Sequence, residues 1–132
     1  MTVQGLTTIK SSHSPLETMN RLETAVTAKG LTVFARIDHA AGAAAAGLSL
    51  RPTEVLVFGN AKGGTPLMQA AQTIGIDLPL KALVWQDASG ETWLSWNDPA
   101  WLAARHVPSG AETVVGKLAA LLDDLAKAAT AA

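Results

Sequence analysis

The chain has 132 residues, enough for one domain and short of a second full-sized core. Ten basic residues against eleven acidic ones leave a formal charge of −1, which speaks against a nucleic-acid protein with its basic stripe and against an acidic disordered tail. With no cysteine there is no disulfide framework, thiol nucleophile, Cys-ligated zinc or iron–sulfur cluster.

In chain order, Val3, Gly5, Thr7 and Ile9 alternate with Gln4, Leu6, Thr8 and Lys10, a weak first strand. No basic region followed by an apolar one stands here, so the N-terminus does not read as a signal peptide. Ser14-Pro15-Leu16-Glu17 is a capping box with proline at the first helical position. It predicts a helix over about 15–29 with Leu16, Met19, Leu22 and Val26 as its apolar stripe and Gly30 as its stop. Leu31 to Ile37 is β-branched and alternating, a second strand. Asp38 then caps an alanine-rich helix over about 39–46, whose methyl faces can approach a sheet closely but bury little area. The alanine- and glycine-rich run from Ala40 to Leu50 is too short to span a bilayer.

Glu54 to Phe58 forms a third strand, and its near-continuous apolar run predicts burial on both faces. The loop from Gly59 to Gly64 follows, and Thr65-Pro66 is expected to open a helix that Gly75 ends. Lys81 to Gln86 and Glu91 to Trp96 flank Asp87-Ala88-Ser89-Gly90, a hairpin signal that pairs Trp85 with Trp93 and turns Trp96 to the other face. Asp98-Pro99 caps a short helix carrying Trp101 and Leu102. Ser109 to Glu112 is a second capping box, opening a long helix with Val114, Val115, Leu118, Leu121, Leu122 and Leu125 on one stripe; its end, from Ala126 on, is expected to fray. The pattern predicts a soluble, cytoplasmic α+β domain over 1–132. Its single mixed or antiparallel sheet has about five strands, with helices packed against it. A second copy of the chain could close the face left open.

Several stretches together resemble the family of bacterial and archaeal proteins called domain of unknown function 302. They are Arg36-Ile37-Asp38-His39, Leu48 to Thr53, Val55 to Asn60, Gly63 to Met68, Asp77 to Lys81, the hairpin, and Asn97-Asp98-Pro99. Order and spacing carry the likeness over about 10–130. The resemblance implies a small α+β fold, often a homodimer, and no agreed activity. Many relatives have proline after the asparagine, where this chain has Ala61.

The strongest functional candidate is the strand-to-helix loop with Asn60, Lys62, Gly63, Gly64 and Thr65. Free backbone N–H groups at a helix start favour an anion, and glycine lets a ligand approach the backbone. The loop is neither a Walker A nor a GxGxxG motif, and a tight turn with Thr65 as N-cap and Lys62 solvated is its plain alternative. His39, at a helix N-terminus, is the second candidate, as base, ligand or bridge; bonding a neighbouring carbonyl is its structural alternative. His13 and His106 read as solvent-exposed, and three scattered histidines make no metal motif. No cofactor is called for. A haem held by His39 and Met68 would need the two to meet, which the sequence does not fix.

Asp38 and Asp98 read as caps, and Asp123 with Asp124 lies on a polar helix face. The four tryptophans read first as core and interface packing. Three functions stay open: a homodimeric module binding a small, anionic molecule at the loop with His39 nearby; an enzyme using His39 with the Gly59–Thr65 loop; and an interaction domain packing through its tryptophan hairpin. No nucleic-acid or membrane partner is expected.

Overall fold

Side-chain oxygens set most helix starts. In the computed structural model, which describes residues 2–132, Ser14 Oγ accepts from Glu17 N at 3.2 Å and starts α1 (Pro15–Ala28). Asp38 Oδ1 accepts from Ala41 N at 2.9 Å to start α2 (His39–Ala45), and Asp98 Oδ1 accepts from Ala100 N at 2.9 Å to start α4 (Pro99–His106). The expected strands form as β1 (Leu6–Lys10), β2 (Thr32–Asp38), β3 (Thr53–Gly59), β4 (Leu80–Gln86) and β5 (Thr92–Asn97). They make one antiparallel sheet in the order β1-β5-β4-β3-β2, so α1 connects its two edge strands. The last helix, α5 (Glu112–Thr130), packs beside α1.

Strand alternation divides the side chains between two faces. Leu56, Phe58, Ala82, Val84, Leu94 and Trp96 point toward Met19, Leu22 and Val26 of α1 and Leu122, Leu125 and Ala126 of α5, making one continuous buried core. The opposite face carries Val55, Val57, Leu83, Trp85 and Trp93, all half-buried and outside the core under α1 and α5, and among the described residues no helix packs over it. The apolar run of β3 is therefore covered on one face within the chain, where two were expected. At the edge of the covered face, Arg36 bonds Glu54 Oε2 through Nε at 2.8 Å and reaches Glu23 and Asn20 on α1. The hydrogen bond to Glu54 outweighs partial burial and holds the guanidinium above its usual pKa.

Several expectations are corrected. Leu16 is 66% exposed, and Thr18 takes the inward place because its hydroxyl bonds Ser11 Oγ at 2.6 Å inside the core. The alanine-rich end stays helical to Thr130, with Ala126, Ala129 and Thr130 buried. Ser12 N donates to Thr130 O at 2.9 Å and the His13 ring bonds Ala131 O at 2.7 Å, so the β1–α1 loop holds this end in place. His13 is accordingly half-buried rather than exposed. The helix expected from Thr65 begins earlier, as α3 (Ala61–Ala70), with Pro66 inside it and a short 3₁₀ helix (Gln72–Ile76) following.

Candidate functional site

The start of α3 explains that shift. Asn60 outcompetes Thr65 as the cap: its Oδ1 accepts from Gly63 N at 2.7 Å, and its carbonyl accepts from Gly64 N at 3.1 Å. Lys62, Gly63 and Gly64 are thus the first turn of a helix, not a loop. The cap leaves the Ala61 and Lys62 N–H groups without an intrahelical acceptor. Beside this turn opens a cavity of about 340 Å³ between α3, α5, the β2 edge and the segment before β4. Asn60, Gly63, Gly64 and Met68 form one wall, and Leu118 and Leu121 of α5 another. Gly64 stands against Leu78 and Met68, and a Cβ there would touch both at 3.6 Å. Phe34 reaches the rim from a bulge in β2, where the register with β3 shifts between Val33 and Ala35.

The sequence candidates therefore separate. Asn60, Gly63 and Gly64 line the cavity, whereas Lys62 and Thr65 are exposed and outside its lining. His39 lies at the far end of the strands. The pairing of Thr32 with Gly59 and of Asp38 with Glu54 puts Asn60 and His39 at opposite ends of β3, about 20 Å apart at ~3.3 Å per residue. His39 is exposed, and α2 buries no residue. The expected combination of His39 with the loop does not form. A haem shared by His39 and Met68 has no geometry either, because Met68 belongs to the cavity wall.

A cluster that sequence reasoning missed braces the cavity from outside. His106 Nε2–H donates to Asp77 at 2.5 Å, and its Nδ1 stands 2.9 Å from Thr73 Oγ1. Arg105 Nη1 donates to both Asp77 oxygens at 2.9 and 3.0 Å. The His106 side chain is only 7% exposed, correcting the solvent-exposed reading. Asp77 precedes Leu78 and Pro79, two wall residues, so α4 clamps the segment that shapes the cavity. Thr73 and Asp77 lie 33 and 29 residues before His106, with no motif spacing. The weak hint was an Arg105-His106 pair closing a helix.

The hairpin fulfils its pattern. Trp85 and Trp93 stack with ring centroids 6.2 Å apart, and Gly90 takes φ +88°. Trp93 Nε1, Ser89 N, Ser89 Oγ and Glu91 N all donate to Asp87. These bonds, led by that from Trp93, lower its pKa to about 2.

The family described as domain of unknown function DUF302 matches residues 7–125. The chain belongs to the DUF302 family. This DUF302 chain is also similar in fold to a solved structure, the uncharacterized conserved protein DUF302 from Bacillus stearothermophilus. The TM-score is 0.85 at 20% identity, over 96% of this chain and 99% of that one. Among curated proteins it is 55% identical over 102 residues to "Fluoride-specific ion channel FluC 1" of Brucella suis, which covers 77% of this chain and 40% of the relative. The same identity and span relate it to "Fluoride-specific ion channel FluC 1" of Brucella abortus, over 38% of that relative. The DUF302 chain thus spans about two fifths of the length of the curated relatives it matches. Among its described residues, no helix is long and apolar enough to cross a membrane.

Proposed function

We propose that the chain is a small-molecule-binding module whose ligand occupies the cavity beside the start of α3. The cavity carries the reading: about 340 Å³ is within the range of ligand pockets, and its lining combines apolar walls with a few polar groups. Asn60, Gly63 and Gly64 contribute to it, while His39, Lys62 and Thr65 have no part. Without His39, the catalytic alternative loses its base, and binding without turnover is the better account. In proteins built like the Brucella channels, the matched segment would be an attached ligand-responsive domain, with the pore in the rest of the chain. Native mass spectrometry of freshly purified protein, repeated after denaturation, tests the binding reading. Excess mass lost on denaturation is expected. A clean mass, together with no thermal stabilisation by any compound of a small-molecule library, would remove it.

A second element of the proposal is a homodimer formed through the uncovered sheet face. Val55, Val57, Leu83 and the stacked Trp85–Trp93 pair make this face apolar at its centre, and Ile37 at its edge is 45% exposed. An isologous sheet-on-sheet contact would cover these residues with their own counterparts.

A further inference from the structure

We infer that the ligand of this cavity is an apolar monoanion, a small elongated or planar organic acid. The inference deepens the cavity reading above and rests on it. Leu31, Phe34, Met68, Leu78, Leu118 and Leu121 supply apolar walls, so most of a ligand's surface would meet carbon. The only side chains in the lining that bear charge or an amide are Asn60 and Lys117, and no carboxylate stands among them.

Lys117 makes no ion pair or side-chain hydrogen bond among the described residues. Its helical neighbours at three and four positions are Val114, Ala120, Thr113 and Leu121, none of which can neutralise it. Asn60 has committed its oxygen to Gly63 N, which leaves its amide N–H₂ as a further donor in the lining. An apolar body with one negative head is the chemistry these groups complement. Lys117 is exposed, so a neutral lipid would only forgo an ion pair with it, whereas a bare inorganic anion would leave the apolar walls unfilled.

Isothermal titration of the full chain with octanoate, octan-1-ol and sodium fluoride tests this, alongside the exposed-site variant Lys117→Gln. Amide chemical shifts would report the place of binding. Octanoate is expected to bind more tightly than octan-1-ol and to perturb Gly63, Gly64 and Leu118. Lys117→Gln is expected to weaken octanoate about fivefold and leave octan-1-ol unchanged, the size of a partly exposed charge pair. Equal affinity for acid and alcohol, or octanoate binding unaffected by Lys117→Gln, overturns the ligand class while the cavity reading stands. Lys117-dependent binding of fluoride with no octanoate binding overturns the class in favour of an inorganic anion. Binding by none of the three overturns the ligand class, and octanoate shifts confined to Val57, Trp85 and Trp93 overturn both readings.

Discussion

The two faces of the sheet are held by different physics. On the covered face, Leu56, Phe58, Val84 and Leu94 are almost wholly buried against two helices, and stability there comes from close apolar packing. On the uncovered face, side chains of similar hydrophobicity are held by cross-strand neighbours and polar bonds. Trp85 Nε1 donates to Ser95 Oγ at 2.9 Å, Thr8 Oγ1 and Ser95 Oγ lie 2.8 Å apart, and Trp93 Nε1 donates to Asp87 at 2.8 Å. Amphipathic residues such as tryptophan can serve a surface that is open in one state and covered in another. Leucine and phenylalanine on the other side have no such second use.

The largest effect that separates the faces lies in neighbouring residues of one strand. Phe58→Ala removes a ring that is fully buried under the helices and should cost about 3–5 kcal/mol in chemical denaturation. Val57→Ala, on the uncovered face, should cost below about 1 kcal/mol in dilute protein. If a second copy covers that face, the Val57→Ala penalty grows with protein concentration, because association stabilises only the folded chain. Trp93→Glu should then move the protein from dimer to monomer in light scattering. A wild type that stays monomeric at micromolar concentration would leave the face open and end the dimer reading.

The contrast also explains what could be read from the sequence. Helix starts at Ser14, Asp38 and Asp98 and the hairpin at Asp87–Gly90 were legible because each rests on a local bond between residues two to four apart. The α+β sheet followed from alternation. What covers a strand is not local: the run from Val55 to Phe58 is equally apolar on both sides, and only the paths of α1 and α5 decide which side they cover. The site was legible in part for the same reason. Asn60 sits three residues before Gly63, so its cap is a local matter, although Thr65-Pro66 offered a competing local signal that lost. Separating His39 from Asn60 required the antiparallel pairing of β2 with β3. Lys117, Leu121 and the Asp77–His106 bond come from chain segments that only tertiary packing brings to the cavity.

A middle-sized effect concerns the clamp beneath the covered side. Asp77→Ala leaves His106 and Arg105 without their shared acceptor, and His106 is too enclosed for water to replace it fully. The expected loss is about 1–3 kcal/mol. Since Asp77 precedes Leu78 and Pro79, the same change should loosen the cavity wall, raising hydrogen exchange around Leu80 while the Trp85–Trp93 hairpin stays unchanged. Equal loosening of the hairpin would mean that the clamp stabilises the sheet as a whole rather than the cavity side.

The smallest effect belongs to the uncovered face and separates its two tryptophans. Asp87 has its pKa lowered to about 2 by bonds that favour its charged form, chiefly that from Trp93 and then those from Ser89 and Glu91. A lowered carboxylate pKa contributes stability that is fully present above about pH 4, the range of a free aspartate, and is lost as pH falls through about 2. The Asp87 turn is open to solvent, so this contribution is felt locally rather than in global unfolding. The Trp93 indole N–H resonance should shift with a midpoint near pH 2, whereas that of Trp85, bonded to an uncharged hydroxyl, should stay in place. Asp87→Asn should abolish the titration. A shared midpoint for both indoles would mean that the stacked pair responds as one unit, through general loss of the sheet, and that hydrogen bonding to Asp87 does not set Trp93 apart.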